Sequence, residues 1–223
     1  PEAGFAEIAE QIAKLIEKNQ GHIHLGCEVT GVTEFPNGRM CISYQRDGQQ
    51  KEMESDYVIS TVPLSLLVKM LTPSVPSEAL VSADKLEYRP LVVLGMLTRK
   101  QKILNCGYAY LLNRPFNRIF EMNEFSPYTS LPGENIIAVE ISCLRDSAIW
   151  KATKEELFKM CIPSLAKEGF IYPGEVKRLF LAKTLYAYPI YRKDYTVHLN
   201  RVMGYLKKYK SLATLGRCGE FMY

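Results

Sequence analysis

Two glycines flank an arginine in Leu215-Gly216-Arg217-Cys218-Gly219-Glu220-Phe221, close to the last residue of this 223-residue chain. Side-chain-free backbone beside a guanidinium suits close approach to a polar, anionic ligand. A strand through Leu212, Ala213 and Leu215 followed by a Gly-rich turn accounts for the same residues without a ligand. A second segment, Ser60-Thr61-Val62-Pro63-Leu64, follows a β-rich run. Its proline stiffens the loop just past a strand end, where ligands gather if that strand lies near the switch point of a doubly wound sheet. The third is Tyr186-Ala187-Tyr188-Pro189-Ile190-Tyr191. Spacing of i, i+2 puts Tyr186 and Tyr188 on one face of an extended segment, and Pro189 then turns the chain. Such phenols, with Tyr191, can wall a pocket and orient a polar substrate, or simply pack in a core.

Charge and cysteine narrow the chemistry. Between Lys183 and Arg217 stand eight basic residues against one acid, Asp194, although the whole chain carries only +4. Lys207, Lys208 and Lys210 suit the C-terminal end of a helix; the remainder can meet an anion. No nucleic-acid recognition module accompanies them, so nucleic acid is not expected as a partner. Cys27, Cys41, Cys106, Cys143, Cys161 and Cys218 form no CxxC pair or regular framework, which reads as buried or free thiols in a reducing, cytoplasmic compartment. His22 and His24 alternate without acidic or Cys partners at ligand spacing, so no metal is expected. No apolar run reaches the ~20 residues of a transmembrane segment.

The elements that must hold these residues follow from periodicity and turns. Phe5, Ile8, Ile12, Leu15 and Ile16 recur at helical spacing before Asn19-Gln20-Gly21. A strand is expected at His22–Leu25. Glu28–Phe35, Arg39–Gln45 and Gln49–Ser55 form a meander, joined by the hairpin signals Asn37-Gly38 and Asp47-Gly48. Tyr57–Ser60 is a further strand, and Leu64–Leu71 a short helix closed by a Pro73–Pro76 loop. Further strands are expected at Leu91–Thr98, Tyr108–Leu112, Asn117–Asn123, Ile136–Cys143 and Val176–Tyr186. Thr153 or Lys154 opens a helix striped by Leu157, Phe158, Cys161 and Leu165, and another starts near Tyr195. Antiparallel sheet with helices segregated around it argues an α+β fold, and 47% hydrophobic residues suffice for a real core. Arg118 and Glu140 fall on the expected antiparallel sheet, as pocket-floor residues or as solvated sheet positions.

In this order, the three segments resemble the FAD-dependent amine oxidase, phytoene desaturase and protoporphyrinogen oxidase superfamily, with UDP-galactopyranose mutase a more distant relative. The resemblance implies part of a Rossmann-like α/β FAD-binding domain with a three-stranded β-meander, plus an antiparallel-sheet substrate domain with flanking helices. It divides the chain into residues 1–85, part of the FAD-binding domain; 86–210, the substrate-binding domain; and 211–223, a return to the first. It implies FAD contacts at Val29 (backbone toward the adenine), Thr61, Val62, Pro63, Gly216, Arg217, Gly219 and Glu220, and substrate contacts at Tyr186, Tyr188, Tyr191, Arg118 and Glu140. The family's GxGxxG unit, which holds the pyrophosphate, occurs nowhere in this sequence. The chain opens at Pro1-Glu2-Ala3-Gly4, similar to the family's Pro-x-Gly-Gly stretch. It therefore reads as an internal fragment of a larger flavoenzyme, expected on its own to lack FAD and activity.

The activity implied is hydride transfer from a C–N or C–C bond of a small-molecule substrate, an anionic one included, to FAD. The alternatives are a nucleotide-sugar mutase-like flavoenzyme and a non-catalytic scaffold that kept the fold without the cofactor. No catalytic acid or base is nominated, since the superfamily's lysine near the flavin has no matching position here. Oligomeric state is left open.

Overall fold

The computed structural model describes residues 4–223; Pro1, Glu2 and Ala3 of the expected opening stretch lie outside the described residues. Chain order begins with helix α1 (Ala6–Lys18) and strands β1 (Glu28–Glu34), β2 (Met40–Arg46), β3 (Gln49–Ser55) and β4 (Val58–Ser60). Both expected hairpins form. Asp47 (φ 53°) and Gly48 (φ 75°) make a left-handed two-residue turn between the paired Arg46 and Gln49. Helix α2 (Leu64–Met70) starts directly after Pro63, and its expected end is right to within one residue. Residues 22–25 are not a strand: their alternation looks extended, but a strand also needs a ladder neighbour, and none is assigned to them. In this first part of the chain two elements escape the sequence reading, strand β5 (Leu71–Thr72) and helix α3 (Ser77–Asp84), and further on the short helices at Met122–Phe125, Ala148–Lys151 and Gly216–Gly219 escape it too.

The later elements are β6 (Tyr88–Thr98), β7 (Tyr108–Tyr110), β8 (Arg118–Glu121), α4 (Met122–Phe125), β9 (Asn135–Ser142), α5 (Ala148–Lys151) and α6 (Lys154–Lys167). After these come β10 (Val176–Pro189), α7 (Tyr195–Leu206), β11 (Leu212–Thr214) and α8 (Gly216–Gly219). The start of α6 is fixed by a capping box. Thr153 Oγ1 accepts from the Glu156 amide at 3.2 Å, and the Glu156 carboxylate accepts from the Thr153 amide at 2.8 Å. All five strands expected after residue 90 are present, β10 running three residues past its expected end to include Tyr188 and Pro189.

The architecture is α+β, in two compact units: Pro1–Ile23 with Pro90–Leu185, and His24–Arg89 with Tyr186–Tyr223. The first is built on a sheet of order β10-β6-β9-β8-β7. One face of that sheet meets α6: Val92, Leu94, Met96, Ile119, Ile137, Val139 and Ile141 pack with Leu157, Cys161 and Leu165. The intervening residues, at period two, take the opposite face. The buried Glu121 carboxylate (1% exposed) accepts from the Ile103 and Leu104 amides and from Asn135 Nδ2, which satisfies a charge that would otherwise be costly there. Helix α1 has the expected amphipathic pattern, with Ile8, Ile12, Leu15 and Ile16 all exposed.

The second unit carries the four-stranded sheet β3-β2-β1-β5 and a two-stranded parallel pair β11-β4. Its core joins Val32, Met40, Leu64, Leu67, Leu71 and Ala83 to Val202, Leu206 and Phe221. Among the described residues, no helix is long and apolar enough to cross a membrane, and no group of three or more His, Cys, Asp or Glu residues is arranged to hold a metal ion.

Candidate functional site

In the second unit, β11 runs parallel to β4, with Leu212 opposite Val58, Ala213 opposite Ile59 and Thr214 opposite Ser60. The chain therefore leaves both strands at the same, carboxyl end, where α/β sheets gather ligands. Thr61-Val62-Pro63 and Gly216–Glu220, read separately in the sequence, become neighbours. The Leu215 amide donates to Ser60 O at 2.9 Å. A Cβ at Gly219 would lie 2.8 Å from Ser60 O and 3.4 Å from Thr61 Cα, so the backbones approach as only glycine permits. Gly216 has φ +79°, and the space a Cβ would occupy there is open.

One side chain ties the two segments together. The Tyr88 hydroxyl accepts from the Leu64 amide at 3.0 Å and donates to Cys218 O at 2.6 Å. Burial, the largest cause, pushes its phenol above the ordinary tyrosine range, so the donated proton stays in place. The Tyr88 ring is edge-on to Tyr186 (5.5 Å between centroids) and to the buried Phe221 (5.1 Å). Tyr191 stacks on Tyr195 at 4.4 Å. The Arg217 guanidinium lies over the rings of Tyr188 (4.9 Å) and Tyr223 (5.3 Å). The Cys218 thiol donates to Tyr186 O at 3.2 Å; burial raises its pKa, and Arg217 opposes that rise. Glu220 follows α8 as its C-terminal cap residue. Val29 sits on β1 opposite Tyr44, beside a bulge before Gly31.

In the first unit, the sheet face away from α6 carries two cross-strand rows. Tyr110, Arg118, Glu140 and Val93 form one; Tyr108, Phe120, Ala138 and Gly95 form the other. Arg118 and Glu140, expected only to share a sheet, are directly opposite and make an ion pair. The Arg118 guanidinium also lies over Tyr108 (5.5 Å) and Tyr110 (5.7 Å). A cavity of about 470 Å³ opens on this face, lined by Arg118, Glu140, Tyr108, Phe120 and Met122, with Phe5 and Phe125 among the further walls. Tyr186, Tyr188 and Tyr191 belong to the second unit.

Sequence reasoning missed Tyr88 and the ring-bearing walls of this cavity. Tyr108-Ala109-Tyr110 has the same period-two spacing as Tyr186-Ala187-Tyr188 and was available as a signal. Nothing local marks Tyr88.

A family model described as flavin containing amine oxidoreductase matches residues 1–197. No curated protein sequence matches the chain. Among solved structures, a reduced UDP-galactopyranose mutase aligns with TM-score 0.79 at 18% identity, over 96% of this chain and 45% of that one. A candidate protoporphyrinogen oxidase from Exiguobacterium sp. 255-15 aligns with TM-score 0.74 at 15% identity, over 97% and 47%. A putrescine oxidase variant gives 0.68 at 13% identity, over 96% and 47%. At these identities the likeness is one of fold, and the chain spans about half the length of the structures it matches.

Proposed function

The chain belongs to the flavin containing amine oxidoreductase family, and we propose that it contributes FAD-binding backbone and a substrate-facing sheet to a flavin-dependent oxidoreductase. FAD, when bound, accepts a hydride from a C–N or C–C bond of the substrate; the residues of the chain bind and orient the two partners. In this reading the second unit holds the cofactor. Thr61, Val62 and Pro63, together with Gly216, Arg217, Gly219 and Glu220, would hold it. Val29 meets the adenine end through its backbone.

The observation that carries the proposal is the parallel β4–β11 pair. It brings the two glycine- and proline-marked segments to one strand end, with Gly219 pressed against Ser60 and open space at Gly216. Such a surface admits a planar or phosphate-bearing group to the backbone. Arg217, braced by two tyrosine rings, supplies a delocalised cation with several donors, which suits phosphate oxygens. The substrate contacts we assign are Arg118 and Glu140 in the first unit and Tyr186, Tyr188 and Tyr191 in the second.

The test is flavin retention in the protein that carries this chain. Arg217→Ala should weaken FAD binding by about 1.5–3 kcal/mol, the worth of a charge-assisted hydrogen bond. Flavin absorbance should then be lost on dialysis while the circular dichroism spectrum is kept. Retention equal to the wild type would reduce Arg217 to a surface cation stacked on tyrosine.

A further inference from the structure

We propose that the cavity over the β7–β8–β9 face takes an uncharged, ring-bearing substrate in preference to an amine cation or a phosphate-bearing sugar. The inference rests on the flavoenzyme reading above, and it names the substrate class for that site.

The walls are the first argument. Phe5, Tyr108, Phe120 and Phe125 supply four rings and Met122 a polarizable thioether, a lining that favours flat, apolar ligands. The placement of Phe125 depends on a glycine: a Cβ at Gly107 would lie 3.0 Å from Phe125 Cε1. The volume, about 470 Å³, falls in the range of small-molecule sites.

Charge is the second. The two ionised side chains in the wall, Arg118 and Glu140, are paired with each other, with side-chain exposures of 25% and 14%. Because the two charges offset each other at contact distance, a ligand cation or anion meets no net opposite charge in the wall. The cost of desolvating the ligand's own charge in this ring-lined cavity is then left without compensation, a cost that an uncharged ligand does not carry. Besides the half-exposed Tyr108 phenol, two hydroxyls in the wall take part in local hydrogen bonds. Thr129 donates to Ser126 O at 2.8 Å, and Ser126 Oγ accepts from the Tyr128 amide at 3.4 Å. What the wall offers a ligand is mostly carbon surface around a neutral ion pair, with the Tyr108 hydroxyl and the polar edge of that pair able to meet a hydrogen-bonding group.

Phenylnaphthylamine, a neutral probe that brightens in apolar sites, reads the cavity directly, and no flavin is needed. One equivalent should bind to the chain. Thr129→Trp, which fills the cavity, should weaken it by about tenfold or more. Phe5→Ala removes an exposed wall residue that the fold does not depend on, and should weaken binding severalfold. Displacement of the probe by three ligands with one shared ring then sorts the classes. Naphthylmethanol should displace it at least about tenfold more effectively than naphthoate or naphthylmethylammonium. Glu140→Gln, which leaves Arg118 without its counter-charge, should move the preference toward naphthoate. The proposal is overturned by absence of probe binding, by binding unchanged in both Thr129→Trp and Phe5→Ala, or by either ion matching naphthylmethanol. Any of these leaves the flavin reading standing, because that reading is judged on cofactor retention alone.

Discussion

Replacing Tyr88 by phenylalanine removes one oxygen and keeps the ring. The ring contacts with Tyr186 and Phe221, at 5.5 and 5.1 Å, need not change. Two hydrogen bonds go. The Leu64 amide lies in the first turn of α2, where the helix itself offers no acceptor. Leu64 is fully buried, so an unsatisfied N–H there costs about 1–3 kcal/mol. Cys218 O loses a donor at 2.6 Å but is only partly buried, which adds about 0.5–1.5 kcal/mol. The expected loss is about 2–4 kcal/mol, or a fall in Tm of roughly 5–15 °C for a chain of this size. Urea denaturation followed by far-UV circular dichroism gives the free energy, and amide exchange at Leu64 gives the local effect. Flavin should also dissociate more readily, because Leu64 and Cys218 anchor the two segments proposed to hold it. The phenol's raised pKa gives the pH sign: its contribution is full below the ordinary pKa of 10 and declines as pH rises above it, where the unfolded tyrosine ionises first. A stability change under about 0.5 kcal/mol, with Leu64 exchange unaltered, would refute the account of Tyr88 as the link between the segments.

Three further outcomes follow from individual contacts. Glu121→Gln turns one acceptor oxygen into a donor facing the Ile103 and Leu104 amides and Asn135. It should cost about 2–4 kcal/mol, and a urea midpoint equal to wild type would contradict the assignment. Glu87 is hydrogen-bonded to Arg192, which with the nearby cations holds its carboxyl below the ordinary 4.5. Its contribution is present above that value and is lost as pH falls below it; since both side chains are about half exposed, it should stay within about 0–1 kcal/mol and shrink with salt. Glu87→Gln should therefore flatten only a small part of the acid limb of a stability–pH curve, and an unaltered limb at low salt would show that the pair contributes nothing. With a thiol reagent at pH 8, exposed Cys106 should react at once. Cys161, fully buried with its thiol pushed up to about 12, should react only on unfolding; rapid native-state labelling of Cys161 would show that the α6 core opens.

The elements legible in the sequence were those with local signals. Asp47-Gly48 and Asn37-Gly38 demand their turns, Thr153 and Glu156 cap α6 through each other, and β9 alternates between core and open face. Helix α3 was hidden because it is eight residues long and buries Ser82 among alanines, which breaks the apolar stripe. Strand β5 is two residues that extend only by pairing with Val32 and Thr33. For the candidate site, the segments were legible from glycine and proline, but their meeting was not. It depends on β4 and β11, about 150 residues apart in sequence, lying side by side. Tyr88 is the sharper case: it bonds a carbonyl 130 residues away, and no local pattern announces such a contact. Arg118 and Glu140 were placed on the right sheet, but their pairing needed a register that hydrophobic alternation leaves open between neighbouring strands.

The most direct test of the central claim is amide hydrogen exchange on the protein that carries this chain, compared with and without bound FAD. Protection on binding should concentrate in residues 60–64 and 215–220, the two segments leaving β4 and β11, with little change in the hairpin of β2 and β3. Flavin binding that protects neither segment would contradict the account.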